Sequence, residues 1–317
     1  MSVHWVGTGR AAAPGLRRLV IAGHEVVVWS RDLDAAEDAV GDLTQRLREY
    51  DAGALAEEVQ DGDVVVSMLP ADRHAELATL ALQRAAHFVC PGHLTPALRA
   101  LHARAQIKDA RVLAECGFAP GIDHLLAQGL VRDWRQAPDH DPDAVLDVMS
   151  LSGLPGARPD AGATRLRRGF EDLAVGDPRD AAWQATLPLR ASPRVDVVPA
   201  GDALRMVEDY SIDPTWRLRS AVRGRMVLPD PGAAAICVSL AAERAGATLW
   251  HRSAVLEAGD ARAALVSVPV SLAAEAALGR KVPAGVGIAP ADPHLAAAWL
   301  EVIAPLVRRL ETVDHLR

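Results

Sequence analysis

Two short stretches concentrate the residues whose types and spacing could do chemistry. The first is Gly7-Thr8-Gly9-Arg10-Ala11-Ala12. A glycine in the first slot permits a tight turn, and one in the second lets the backbone approach a pyrophosphate. A small residue in the third slot, Ala12, lets a helix pack close to a strand. A helix starting there offers unpaired N–H groups and a partial positive charge to phosphates. The second stretch is Glu115-Cys116-Gly117-Phe118-Ala119-Pro120-Gly121-Ile122-Asp123-His124, which brings together two acids, a thiol and an imidazole. Asp123 and His124 are candidates for proton transfer, since imidazole titrates ordinarily near ~6.5. Their structural alternatives are a first-turn carboxylate favoured by a helix dipole and a satisfied imidazole. Cys116 is a third catalytic candidate, against the alternative that it only packs. His93 is a fourth. Arg223 is the candidate for binding a substrate carboxylate, because its fork can engage one through two hydrogen bonds. Lysine is nearly absent: only Lys108 and Lys281 occur, so a lysine base or Schiff base has just two candidates. Arginine, which supplies the rest of the positive charge, binds and orients but is a poor base.

The cofactor is read from the second strand's end. NAD sites usually place an acid there, roughly 20 residues past the glycines, to hold the ribose 2′-OH. This chain has Trp29-Ser30-Arg31-Asp32. Ser30 and Arg31 suit a 2′-phosphate, so NADP is expected, with NAD the lesser fit because Asp32 follows directly. Ser67-Met68-Leu69-Pro70 ends a further strand, where a doubly wound sheet opens its ligand crevice. These four are expected beside the cofactor; the alternative is a proline-stopped turn. No Cys-x-x-Cys or zinc spacing occurs, and no metal is expected.

The elements that must position these residues follow a legible order. Val3–Val6 is a short apolar strand, the glycine turn leads into a helix ending near Gly23, and His24–Trp29 is the next strand. Helical and strand patterns then alternate through Ala35–Leu47, Asp63–Met68, Ala75–Ala85, His87–Cys90, Thr95–Ala105 and Arg111–Glu115. Such alternation implies a parallel sheet covered on both faces. Beyond Gly117–Asp123 the runs shorten. Ala144–Leu151, Val195–Val198, Arg205–Val207 and Val222–Leu228 read as strands. Ala233–Ala245 reads as a helix, Ala247–Arg252 and Ala261–Val268 as strands, Val270–Leu278 as a helix and Ala291–Leu310 as a long amphipathic helix. The expected fold is α/β: a doubly wound Rossmann-like domain over 1–120, then an α+β mixed-sheet substrate and dimerisation domain over 121–290. A C-terminal helix over 291–317 is expected to pack back on the first domain.

Composition narrows the function classes. The 317 residues carry a net charge of −7 and an aromatic fraction of 4%. An acidic, aromatic-poor chain is a poor nucleic-acid binder. No apolar run approaches the ~20 residues of a bilayer span, and Met1–Gly9 lacks the basic segment of a signal peptide. Three scattered cysteines, Cys90, Cys116 and Cys237, fit reduced thiols in a cytoplasm. The expected partner is a small molecule, with neither nucleic acid nor membrane, and the C-terminal helix is the element that would serve a homodimer.

The motifs together resemble the saccharopine dehydrogenase family. Gly7–Pro14 is similar to its G-x-G-x-x-A-x-P opening, and Glu115–His124 to its E-x-G-x-D-P-G-I-D-H segment. Ser67–Pro70 resembles its S-x-x-P strand end, Gly153–Pro155 its G-G-L-P turn, and Arg223-Gly224 the start of its R-G-T-L-R-Y strand. The resemblance is specific over Met1–Ala127 and patchy from Val145 to Val227. It implies NADP and the glutamate-forming branch's reaction, reduction of an imine between glutamate and an aldehyde to a secondary amine. The chain departs from the pattern at Ala119, where the family has Asp, at Pro91-Gly92-His93, where it has a hydroxyl residue and Tyr, and at Val227 and Leu228. Gly176–Arg179 is a remnant at most of a longer family element. The departures leave two further readings: a reductase of another imine or opine-type amine, or a catalytically silent NADP(H)-binding protein.

Overall fold

The computed structural model describes residues 1–44, 46–153, 166–168, 171–173, 188, 209–226, 228, 232–288, 290 and 292–316, with backbone only for 166–168, 171–173 and 220–225. The chain divides into two compact units. The first comprises Met1–Ile122 and Ala263–Pro290, the second Asp123–Arg262 and Ala291–Arg317.

The first unit is built on a seven-stranded parallel sheet. Its strands are β1 (Val3–Val6), β2 (Val26–Ser30), β3 (Leu47–Glu49), β4 (Val64–Ser67), β5 (His87–Val89), β6 (Arg111–Leu113) and β13 (Gly285–Gly287). They lie in the order β13-β6-β5-β4-β1-β2-β3, so chain order reverses beside β1. β1 pairs with β2 on one side, Val3 opposite Val26, and with β4 on the other, Val3 opposite Val64. β1, β2 and β4 are buried at every position, as expected where helices cover both faces and leave no side of the strand wet. Between the strands run helices α1 (Ala13–Ile21), α2 (Leu33–Val40), α3 (Ala52–Glu58), α4 (His74–Gln83), α5 (Pro96–Arg99) and α6 (His102–Ile107). Val6, Val27, Val65, Leu77, Leu82, Phe88 and Val112 belong to one continuous core.

The second unit starts within helix α7 (Ile122–Arg135). It carries a mixed five-stranded sheet of β7 (Val145–Gly153), β10 (Arg217–Arg225), β11 (Ala234–Arg244), β12 (Ala247–Ala258) and β14 (Arg309–Asp314), in the order β10-β7-β11-β12-β14. β10 and β7 run parallel and the other pairs antiparallel. A separate hairpin pairs β8 (Leu166–Arg168) with β9 (Glu171–Leu173).

Several sequence expectations are corrected. Ala233–Ala245 is not a helix but the central strand β11, whose first seven residues are all buried. Ala261–Val268 is not a strand. It begins helix α8 (Arg262–Leu278), which runs through Pro269 and is buried over most of its length. The C-terminal stretch is a shorter helix α9 (Pro293–Ile303), a 3-10 turn and strand β14, rather than one long helix. The end of Ala35–Leu47 enters the edge strand β3. The unit boundaries also differ from the expected 1–120, 121–290 and 291–317: residues 263–290 fall with the first unit, and residues 291–317 with the second. The reason for the first is steric and specific. Gly15 of α1 lies so close to α8 that a Cβ there would stand 2.1 Å from the Ser267 carbonyl oxygen. The Gly15 N–H donates to Ser267 Oγ at 2.9 Å, and Arg18 reaches Ser271 and Glu275. The reason for the second is the pairing of β14 with β12, Leu310 opposite Leu256. Val195–Val198, Arg205–Val207, Gly176–Arg179 and most of Gly153–Pro155 lie outside the described residues.

Candidate functional site

The turns that leave β1, β2 and β4 enclose a cleft of about 530 Å³ in the first unit. Gly7, Thr8, Gly9, Ser30, Arg31, Met68, Leu69 and Pro70, all expected cofactor-site residues, line this one cleft. Each glycine has its own reason. Gly7 has φ +99°, and a Cβ there would meet Leu69 Cδ2 at 3.1 Å, so the tight turn depends on it. At Gly9 a Cβ would meet nothing within 4 Å. Bare backbone therefore faces open space, which is what close approach of a pyrophosphate requires. Helix α1 follows, with Ala12 at its N-cap, no side-chain cap and no acid in its first turn. Helices α2, α3 and α9 are capped by Asp32, Asp51 and Asp292. Helix α5 is capped by Thr95, while α4 and α6 also lack a side-chain cap; what sets α1 apart is that its uncapped end follows the glycine turn, where an external anion can be received.

The end of β2 is organised by hydrogen bonds. Thr8 Oγ1 and Ser30 Oγ lie 2.6 Å apart, tying the glycine turn to the strand end. Ser30 Oγ donates to the Asp32 carbonyl at 2.7 Å. The Asp32 carboxylate accepts the Ala35 N–H at 2.9 Å, so it is engaged as the cap of α2. Arg31 is exposed, its guanidinium 5.9 Å from the centroid of the Tyr50 ring, a cation–π placement. Asp32, which also lines the cleft, commits one carboxylate oxygen to the cap of α2, and the exposed Arg31 stands beside it, an arrangement that fits a 2′-phosphate better than a free ribose 2′-OH. The cleft residues present therefore fit a phosphorylated dinucleotide.

Other predicted residues sit around rather than in the cleft. Ser67 is fully buried as the last residue of β4. Arg10 and Ala11 lie in the turn ahead of α1, and Ala12 is buried, its N–H bonded to the Gly9 carbonyl at 2.8 Å. Sequence reading missed Asp72 and Arg73, which line the cleft from the 3-10 turn after Pro70. Their signal was adjacency: they directly follow the Ser67–Pro70 strand end.

The Glu115–Ile122 stretch is a compact loop. The Gly117 N–H donates to the Pro120 carbonyl at 3.1 Å, and the Ile122 N–H reaches the Gly117 carbonyl. A Cβ on Gly121, at φ +143°, would stand 2.1 Å from Gly117 O. Glu115 is buried, and its Oε1 accepts the Leu94 N–H at 2.9 Å and lies 3.6 Å from His93 Nδ1. His93 is half exposed. Cys116 is fully buried, and burial pushes its thiol well above the ordinary range. Such a thiol supplies no thiolate near neutral pH, so the packing alternative accounts for it. Burial likewise pushes Cys90 and Cys237 up to about 12.

In the second unit, Asp123 and His124 belong to a buried polar cluster. The Tyr210 hydroxyl donates to Asp123 Oδ2 at 3.1 Å, and His124 Nε2 lies 3.7 Å from Asp123 Oδ1. The His124 and Tyr210 rings meet edge to face at 5.6 Å, and Gln128 Nε2 donates to the Asp209 carbonyl at 2.9 Å. Asp123, His124 and Tyr210 are at most 1% exposed. Tyr210 is the member that no sequence signal places here, because it lies far along the chain from Asp123. Arg223 sits in β10 with its backbone opposite Ser150 of β7; its side chain lies outside the described residues. Among the described residues no helix is long and apolar enough to cross a membrane.

Comparison with known proteins agrees with this geometry. Residues 3–113, which hold every residue lining the cleft, match the family model of the saccharopine dehydrogenase NADP binding domain. The saccharopine dehydrogenase (NADP(+), L-glutamate-forming) of Pyricularia oryzae is 32% identical over 130 residues, 40% of this chain and 29% of that protein. The alpha-aminoadipic semialdehyde synthase of Arabidopsis thaliana is 32% identical over 112 residues, 34% of this chain and 10% of that protein. These matches span less than a third of either relative. Among solved structures, apo saccharopine dehydrogenase (L-Glu forming) from Saccharomyces cerevisiae superposes with a TM-score of 0.72 at 17% identity, covering 99% of each chain. Homospermidine synthase from Legionella pneumophila gives 0.53 at 8% identity, covering 99% of this chain and 91% of that one. At such identities the structures establish the fold alone, an α/β chain with a parallel Rossmann-like sheet and a second mixed sheet. The family resemblance and the expected NADP cofactor agree with the matched domain.

Proposed function

We propose, from the premise that residues 3–113 are a saccharopine dehydrogenase NADP binding domain, that this protein is an NADP-dependent oxidoreductase acting on a C–N bond. Its substrate class is an amino-acid conjugate: an imine of an amino acid and an aldehyde, reduced to a secondary amine, or the reverse. The observation that carries the reading is the cleft at Gly7–Gly9, with open space at Gly9, an uncapped α1 and Asp32 tied to α2. When bound there, NADP supplies or accepts the hydride.

The chain's own residues have separable tasks. Gly7, Gly9 and the first turn of α1 bind the pyrophosphate through backbone N–H groups. Thr8 and Ser30 hold the turn to the strand, and Arg31 takes the 2′-phosphate. Reduction of C=N also requires a proton on nitrogen, and Asp123 and His124 are the residues assigned to it. Tyr210 positions Asp123 by donating to its carboxylate. Arg223 is assigned to a substrate carboxylate, and His93, anchored beside Glu115, to substrate contact.

A second reading has its own support. Asp123, His124 and Tyr210 are buried, and Ala119 replaces the acid of the related motif. This favours a protein that binds NADP(H) without turnover, or one refitted to another imine or opine-type amine. The test is saccharopine-dependent reduction of NADP⁺ beside NAD⁺, followed by a panel of amino-acid and aldehyde pairs with NADPH. Turnover with an NADP preference supports the first reading. NADPH binding without turnover on any pair replaces it with the second.

A further inference from the structure

We propose that Arg73 is a second cation for the 2′-phosphorylated adenosine end of the cofactor, facing Arg31 across the glycine turn. The inference rests on the NADP reading above and adds a residue that neither the motif pattern nor the spacing assigned. Sheet order supplies the placement. β4 and β2 flank β1, so the turns leaving them flank Gly7–Gly9. Arg31 follows β2, Arg73 closes the 3-10 turn Ala71–Arg73 after Pro70, and both line the same cleft.

The formal charges of the lining balance, Arg31 and Arg73 against Asp32 and Asp72, so what favours an anion is which groups are already engaged. The cleft holds two carboxylates besides the two guanidinium groups, but Asp32 is engaged with the Ala35 N–H. Arg73 Nη2 lies 3.1 Å from Glu76, one turn along, with the side chains 38% and 57% exposed. A wet pair of this kind contributes little, so a phosphate dianion can replace it. Arg73 Nε is buried and has no hydrogen-bond partner among the described residues. A buried guanidinium donor without an acceptor is costly, so rotation of the Arg73 fork that brings Nε out to a phosphate oxygen carries little penalty. Arginine's planar fork suits phosphate where lysine would act only as a point charge. Arg31, resting against Tyr50, is pre-oriented on the other side.

The test is isothermal titration of the full chain with adenosine 2′,5′-bisphosphate, NADPH and NADH. Arg73→Ala is expected to weaken the bisphosphate and NADPH by about 10- to 100-fold and NADH by less than about threefold, the range for a lost charged hydrogen bond. Arg73→Lys, which keeps the charge but not the fork, is expected to fall between. Thermal melts of both variants show whether the fold is retained. Equal weakening of NADPH and NADH would make Arg73 a packing residue and overturn the proposal, as would unchanged affinity for all three probes. If the wild-type chain binds neither NADPH nor NADH, the NADP reading itself falls and this proposal with it. If the wild type prefers NADPH and Arg73→Ala matches it, only this proposal falls.

Discussion

Replacing Gly15 by alanine should destabilise the first unit, against the usual effect of that change. In a helix interior, Gly→Ala ordinarily gains about 0.5–1 kcal/mol from backbone entropy. Here the new Cβ would stand 2.1 Å from Ser267 O, 2.5 Å from Ser267 C and 2.9 Å from Ser267 Cβ. The obstacle is backbone, so no side-chain rotation relieves it, and α1 and α8 must separate. Separation stretches the Gly15 N–H bond to Ser267 Oγ and the Arg18 contacts with Ser271 and Glu275. Overpacking costs about 1–3 kcal/mol, and the weakened hydrogen bond about 0.5–1.5 kcal/mol. Less the propensity gain, the net loss is about 0.5–4 kcal/mol, or roughly 2–4 °C in Tm per kcal/mol for a unit of this size. Urea denaturation followed by circular dichroism measures it. Gly9→Ala is the control, since its Cβ would meet nothing within 4 Å. A midpoint for Gly15→Ala equal to or above wild type would refute the steric argument and the assignment of α8 to the first unit.

Burial lowers the His87 pKa to about 4. The unfolded chain therefore binds a proton that the folded chain refuses, and stability falls as pH drops from ~6.5 toward 4. At pH 4.5 the loss from this one group is about 2.5 kcal/mol. His87→Asn keeps an acceptor for the Arg111 N–H, 3.2 Å from Nδ1 in the wild type, and should flatten the pH dependence of the urea midpoint by that amount. An unchanged slope would show that His87 does not carry it. Asp32→Ala should cost about 1 kcal/mol as a lost helix cap and leave the ratio of NADPH to NADH affinity unchanged. A rise in NADPH preference would mean that Asp32 reaches the ribose after all. Cys116, fully buried with its thiol pushed up, should resist iodoacetamide in the native protein and react only after denaturation; rapid native labelling would contradict its packing role.

The N-terminal half of the site was legible because its signals are local. Gly7, Gly9, Ser30, Arg31 and Met68–Pro70 each sit at a strand end, and the strands are short apolar runs with clear stops. The parallel sheet then brings those ends together without further information. Legibility failed where tertiary packing outweighed local preference. Ala234–Arg244 is rich in alanine, which favours helix, yet it is the central strand between β7 and β12. Buried on both faces, it shows no alternation to mark it as a strand. Arg262–Leu278 failed in the opposite direction. Its Val-containing start and the internal Pro269 suggested a strand followed by a helix, whereas one helix runs through the proline. Pro269 removes one backbone donor, a local cost carried within a helix that is buried over most of its length. The contact of Tyr210 with Asp123 bridges distant parts of the chain, and no local pattern encodes it.

The most direct test of the central claim is equilibrium binding of NADPH and NADH to the wild-type chain and to Gly9→Asp. The account predicts tighter binding of NADPH than NADH by the wild type. It predicts loss of both in Gly9→Asp with the melting temperature retained, since that side chain projects into the open space at Gly9 and places a negative charge where the phosphates bind. Equal affinity for the two cofactors, or undiminished NADPH binding by Gly9→Asp, would contradict it.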